Sequence, residues 1–256
     1  MDKLFAVLFG ISIYSSAIAQ WSVVNSGYQS TLNAIEFSAD SVGYAVGDNG
    51  LVLKSIDTGN TWSQLNLGLS DDLLCIEFVS DSALLIGGDT GLVLYSNDGG
   101  ITWTKPLIGS FSKNITSMYY QAPNIYIADG AISLVEVGLW TRSKLGFGGF
   151  GPNYVWDIVY LYDSVGIIGF YDEGMKKNTN ALNCFYTCWS TTEDSYSPFS
   201  AFRLSFPTKT VGYAYTTRNL VSAKLLRSID GGGGWNLVYD DWDYKFSDLQ
   251  FTNTDT

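Results

Sequence analysis

Histidine is absent from the 256 residues. Its absence removes Ser-His-Asp and Cys-His catalysis, and with them the commonest zinc sites. Positive charge is scarce: 14 Lys and Arg stand against 25 Asp and Glu, for a net charge of −11. Such a surface disfavours nucleic acid, whose phosphates need clustered Lys and Arg, and it disfavours anionic lipid surfaces for the same reason. The arginines are Arg142, Arg203, Arg218 and Arg227, scattered along the chain. Long apolar runs are also missing. The longest, residues 4–14, is too short to span a bilayer comfortably.

That run has a different reading. Lys3 precedes it, Ser15 and Ser16 follow, and Ala17-Ile-Ala19 stands just before Gln20. A charged start, a short apolar core and an A-x-A site read as a signal peptide, residues 1–19, cleaved after Ala19. The mature chain, 20–256, is then expected to be secreted, periplasmic or on the cell surface, with no membrane insertion once the signal is gone. No cysteine follows the cleavage site, so a lipoprotein anchor is not indicated. Cleavage takes Asp2 and Lys3 together and leaves the net charge as it was.

Three cysteines leave at least one unpaired. Cys75 lies in an apolar strand and reads as a small buried hydrophobe. Cys184 and Cys188 would be about 13 Å apart in a straight strand, too far for a bridge. They pair only if the residues between them turn; otherwise they are free thiols.

Against these absences stand 27 glycines and an aromatic content of 15%, which favour many short strands over helices. One device organises them. Ser96, Asp98, Gly100, Thr102 and Trp103 join two strand-like stretches through a tight turn. The aspartate can accept backbone N–H bonds, the glycine can take positive φ, and the tryptophan covers the hairpin. Forty-one residues earlier stand Ser55, Asp57, Gly59, Thr61 and Trp62, and the pattern returns in weaker form as Ser228, Asp230, Gly232 and Trp235. These are repeats.

Around them the chain divides into units of about forty residues: 32–68, 73–109, one from Ile115, one from Val155 and one from Ala201. Each has four short strands, with Asp48-Asn-Gly50 and Asp89-Thr-Gly91 as hairpin turns in the first two. In the third, strands are expected at 117–120, 125–128, 132–137 and 139–142, and the Asp-turn shrinks to Val137-Gly138 before Trp140. The fourth is read as carrying an insertion at 172–181 before a strand at 182–190. Trp21 to Gly27 copies Trp62 to Gly68 as an orphan outer strand, and 246–251 aligns with 32–37 as an opening inner strand. Four strands per forty-residue unit is the period of a propeller blade. The expected fold is therefore all-β, a β-propeller of four-stranded antiparallel blades. It has about five full blades and part of a sixth, read as a truncated six- to eight-bladed ring. Residues 21–25 are expected to lie against the first full repeat, with unpaired edge strands prone to associate.

The Ser-x-Asp-x-Gly-x-Thr-Trp turns resemble the Asp-box (BNR) repeats of sialidases, sortilin-type receptors and related propellers. The longer string from Phe37 through Gly43-Tyr44-Ala45-Val46-Gly47, Gly50, Ser55, Asp57, Gly59 and Thr61 to Trp62 resembles the photosystem II assembly/stability factor-like propellers. The resemblance covers the first, second and fifth repeats well and the third and fourth poorly. It implies a propeller scaffold with Asp-turns as fold elements, and partner protein binding as the usual activity. The arginine-rich patch through which photosynthetic members are thought to bind has no counterpart among the four scattered arginines.

A sialidase-type glycoside hydrolase is the sharpest enzymatic alternative. It requires three arginines on one carboxylate, a tyrosine nucleophile with a glutamate, and an acid/base aspartate. Phe202-Arg203-Leu204 resembles that arginine motif but comes after two Asp-turns instead of preceding them. No catalytic residue, metal ligand or cofactor is therefore assigned. Asp240, Asp241 and Asp243 around Trp242 lack the glycine and final glutamate of an EF-hand and read as a solvated acidic loop. Asn114-Ile-Thr116 is a glycosylation sequon, meaningful if the host glycosylates exported proteins. The loops between blades, 67–74, 106–114, 143–154 and 239–245, emerge on one face. They carry Asp71, Asp72, Phe111, Phe147, Phe150, Tyr154, Asp241, Trp242 and Asp243, an assortment suited to a protein or glycan partner. The leading expectation is an exported, non-catalytic protein- or glycan-binding module. A purely architectural module of a larger surface protein is a third reading.

Overall fold

The computed structural model describes residues 24–38, 41–130, 132–145, 155–162, 165–170, 174–178, 189–191, 200–218, 222–241 and 248. The strands fall into five antiparallel sheets in chain order. The first holds β1 (Leu32–Phe37), β2 (Gly43–Gly47), β3 (Val52–Ser55) and β4 (Ser63–Leu65). The second holds β5 (Leu73–Phe78), β6 (Leu84–Gly88) and β7 (Val93–Ser96), and its outer strand is reduced to a bridge between Tyr95 and Thr104. The third holds β8 (Ser117–Gln121), β9 (Asn124–Ala128), β10 (Ile132–Glu136) and β11 (Thr141–Leu145). The fourth holds β12 (Val155–Tyr162), β13 (Val165–Phe170), β14 (Gly174–Asn178) and β15 (Trp189–Thr191). The fifth holds β16 (Ser200–Ser205), β17 (Gly212–Arg218), β18 (Ser222–Ser228) and β19 (Asn236–Asp241).

Within a sheet, burial peaks at the second strand and falls toward the rim. Every residue of β2 and β6 is buried, whereas β4 has none buried. β6 can be small and apolar on both faces because a neighbouring sheet covers each, whereas β2 has the second sheet on one face and Tyr28, Leu32, Phe37 and Trp62 around Ala45 on the other. The cores accordingly lie between sheets: Tyr44, Val46 and Val52 of the first meet Leu84, Ile86 and Leu94 of the second. Leu85 and Val93 then meet Ile125, Ile127 and Val135. No sheet buries its faces alone, so the sheets stack in sequence. The inner strands β1, β5, β8, β12 and β16 touch in that order.

The two edges of the ring meet through Asp248. Its Oδ2 accepts the Ile35 N–H of β1 at 2.9 Å, and its Oδ1 lies 3.0 Å from Nε of Arg203 in β16. The N-terminal segment also lies on the first sheet. Tyr28 packs among Ile35, Leu51 and Leu53, and its hydroxyl accepts the Gln64 N–H. Asn25 Oδ1 accepts Gly27 N–H as Asn66 Oδ1 accepts Gly68 N–H, the same turn in two copies. Residues 21–23 and the rest of 246–251 lie outside the described residues.

Two strand expectations are corrected. In the third sheet the outer strand begins at Thr141, because Trp140 sits in the turn at φ 54°. In the fourth, β14 lies inside 172–181, the stretch read as an insertion; its Met175 and Lys177 pair with Gly169 and Ile167 of β13.

Candidate functional site

The backbone bonds between loops define two faces. On one, the hairpin turns after β2 and β6 meet the blade-to-blade loops: Gly50 N–H donates to Asp71 O, and Asp89 N–H to Asp72 O. On the other, the Asp-turns meet the loops after the inner strands: Thr58 N–H to Ser41 O, Gly99 N–H to Ser82 O, Gly231 N–H to Thr210 O.

In the Asp-turn of the second sheet, the buried Ser96 hydroxyl donates to Asp98 Oδ1 and accepts the Gly100 N–H at 2.9 Å. Asp98 then takes the Thr102 N–H at 2.8 Å and the Thr102 hydroxyl at 2.5 Å. Gly100, at φ 78°, turns the chain so that the Trp103 Nε1–H reaches its carbonyl at 3.1 Å. The Thr102 hydroxyl, with its N–H, holds the Asp98 carboxyl down at about 2. Ser55, Asp57, Gly59, Thr61 and Trp62 repeat the set bond for bond. Ser228 and Asp230 repeat it up to Gly232, after which Gly233 and Gly234 N–H groups replace the threonine. Each aspartate is occupied within its own turn. The Asp-turn of the second sheet also docks on the first: Tyr44 hydroxyl and Lys54 Nζ both donate to Gly99 O, at 2.6 and 2.8 Å.

On the loop face, Asp72 Oδ1 accepts the Asn49 N–H, and Asp71 is half-buried with no hydrogen bond to its carboxylate among the described residues. Their charges, after burial, raise the pKa of the neighbouring Asp89. Phe111 is buried, its ring lying 3.9 Å beneath the Arg142 guanidinium, and so belongs to the packing between second and third sheets instead of an exposed loop surface. Phe147, Phe150, Tyr154, Trp242 and Asp243 lie outside the described residues, as do Cys184 and Cys188, and Asp241 ends β19. Cys75 is a buried free thiol, pushed up to about 12 by burial.

The arginines stand in separate settings. Arg142 bonds Asp129 and the Ser110 carbonyl, Arg203 pairs with Asp248 on the axis, and Arg227 lies 6.0 Å from the Tyr213 ring.

The axis itself holds a feature that the repeat pattern did not reveal. A cavity of about 390 Å³ is lined by the inner strands, with Glu36, Glu77, Ser117, Tyr119, Asp157, Arg203 and Asp248 among its walls. Four of the five inner strands carry a register shift near their start, between Leu32 and Ala34, Leu73 and Cys75, Val155 and Asp157, and Ala201 and Arg203. Such bulges re-aim the side chains beyond them, and Ala34, Cys75, Asp157 and Arg203 all line the cavity. Carboxylates join the strand edges there. Asp157 takes the Leu204 N–H at 2.6 Å besides the Ser117 hydroxyl and its neighbour's N–H, and Glu77 Oε1 takes the Tyr120 N–H at 2.7 Å. Burial raises the Asp157 carboxyl and pushes Glu77 up to about 8; Tyr119 is pushed up to about 12, first by burial and then by Glu77. Aligning Asp157 with Asp248, each one residue before an apolar residue, was the available sequence signal. Among the described residues no group of three or more acidic or cysteine side chains is placed to hold a metal ion.

Residues 13–132 match the family model of the photosynthesis system II assembly factor YCF48. No curated protein matches the chain in sequence. Among solved structures, YCF48 from Cyanidioschyzon merolae is 14% identical, with 86% of this chain covering 75% of that one at a TM-score of 0.60. YCF48 bound to D1 peptide is 15% identical, with 86% of this chain covering 71% of that one at 0.59. The GH74 xyloglucanase from Xanthomonas campestris is 18% identical over 81% of this chain, but only 38% of that one, at 0.60. At these identities the likeness is one of fold. The chain is an Asp-box β-propeller that resembles the photosystem II assembly factor propellers.

Proposed function

We propose that the protein is an exported, non-catalytic propeller that binds a protein partner through the face carrying the blade-to-blade loops. The observation that carries this reading is the match of residues 13–132 to the assembly-factor family. A peptide-bound propeller of the same fold supports it. The separate settings of Arg142, Arg203 and Arg227 favour binding over sialidase-type hydrolysis, which needs arginines on one point. Asp71 and Asp72 give the loop face negative charge, which favours a partner segment bearing Lys or Arg. A glycan partner is the alternative occupant of the same face. Export rests on the signal-like residues 1–19, and N-terminal sequencing of the mature protein should begin at Gln20.

The test is cross-linking and affinity capture from the host envelope with wild type, Asp71→Lys and Asp81→Lys. Asp71 is chosen because its carboxylate takes no hydrogen bond among the described residues, whereas Asp72 also holds the Asn49 N–H. Asp81 is exposed beside Ser82, on the Asp-turn face. A protein captured by wild type and Asp81→Lys but lost with Asp71→Lys supports the reading. Equal capture by all three, or glycan alone, contradicts it.

A further inference from the structure

The axial cavity includes neither Asp71 nor Asp72 in its lining and stands independently of the partner proposed on the loop face. Its volume of about 390 Å³ falls at the small end of the range of ligand pockets. Asp157 and Asp248 are occupied: the first by three donors, the second by the Ile35 N–H and Arg203. Glu77 differs. Its Oε1 takes one backbone N–H, and its Oε2 has no hydrogen-bond partner among the described residues, although the group lines the cavity. The charge acting on it comes from another carboxylate, Asp157. Arg203 and Lys209 also line the cavity, but Arg203 is paired with Asp248 and neither bonds Glu77. Glu36 lines the same side of the cavity from β1, and Tyr119 adds a ring from β8. A cavity-lining carboxyl with one oxygen unbonded, beside an aromatic ring, is the arrangement in which an ammonium group would ionise the acid and donate to it.

We propose that the axial cavity binds a small organic amine, whose ammonium donates to Oε2 of Glu77. A free amine and a lysine side chain of a peptide share that chemistry. The β16–β17 loop supplies one end of the wall, on the Asp-turn side, through Pro207, Thr208 and Lys209.

The test is isothermal titration of the full chain with 1,4-diaminobutane and with Nα-acetyl-lysine amide, using calcium chloride and sodium chloride as controls. Saturable binding of either amine is expected, weakened about tenfold or more in Glu77→Gln because a charge-assisted hydrogen bond is lost. Binding of the diamine alone supports a free amine, and binding of the lysine amide supports a side-chain ligand. Should Glu77→Gln not fold, wild type titrated with 1,4-butanediol, which has the diamine's length but no ammonium, should give no saturable heat, and binding of the diol equal to that of the diamine would overturn the proposal. No saturable heat with either amine, unchanged binding in the folded variant, or a response to calcium alone would overturn the proposal.

Discussion

The Asp-turns of the second and fifth sheets share Ser-x-Asp-x-Gly and diverge immediately after it. In the second, Thr102 supplies both an N–H and a hydroxyl to Asp98, and Trp103 is half-buried with its Nε1–H bonded to Gly100 O. In the fifth, Gly233 and Gly234 supply two N–H groups to Asp230. Trp235 there is only 5% exposed, and its buried Nε1–H has no partner among the described residues. The polar half of the device is thus replaceable, backbone for hydroxyl, while the indole stays. Phe37 with Trp62 and Phe206 with Trp235 keep the same edge-to-face contact, at 5.9 and 5.8 Å. Even the third sheet, whose Asp-turn is gone, holds Trp140 edge-on to Tyr95 at 4.8 Å. The indole is the recurring part while its partner varies, since Trp103 packs on the cluster between the first and second sheets and makes no ring contact among the described residues. The carboxylate is one way of setting the indole in place.

The largest effect should come from the deepest indole. Trp235→Ala should cost about 3–5 kcal/mol, and Trp103→Ala less, because its ring is half-exposed; urea denaturation of both variants checks the order. Next come the serines. Ser96 and Ser228 make the same bonds from equally buried positions, so either change to Ala should strand a glycine N–H and cost about 1–3 kcal/mol. A large difference between the two would break the equivalence of the turns.

The charge of the turns should separate them more finely. The Asp98 carboxyl is held down chiefly by the Thr102 hydroxyl, that of Asp230 chiefly by the Gly234 N–H. A depressed carboxyl stabilises the fold above its unfolded pKa, and that contribution is lost as pH falls from about 4 toward about 2. Thr102→Val should move Asp98 back up and leave Asp230 unmoved, which carboxyl NMR titration reads directly. The smallest effect belongs to the hairpin turns. Asn49 and Thr90 occupy equivalent positive-φ positions, 58° and 50°, and a β-branched residue fits there poorly. Thr90→Asn should gain up to about 1 kcal/mol in thermal unfolding.

Legibility in the sequence depended on where the forces act. The Asp-turns were legible because their bonds close within seven residues, so spacing alone carries them. Asn49-Gly50 was legible because its positive φ values select those residues. The strand β14 was not: its Lys176 and Lys177 look like loop residues, and backbone pairing with β13 decides their state. Trp140 aligned by type but not by state, since the shortened turn places it at positive φ. The axial carboxylates were missed because their bonds join different repeats. Leu204 N–H meets Asp157 forty-seven positions away, and Ile35 meets Asp248 across 213. Within one unit, each reads as a stray acid in an apolar strand.

The claim underlying the comparison is that the Asp-turn carboxylate acts within its own turn. Hydrogen exchange at the Thr102 amide in Asp98→Ala tests it most directly. The account predicts that this amide loses protection and the melting temperature falls, while the corresponding Thr61 amide of the first sheet keeps its protection. Unchanged protection at Thr102 with an unchanged melting temperature would contradict it.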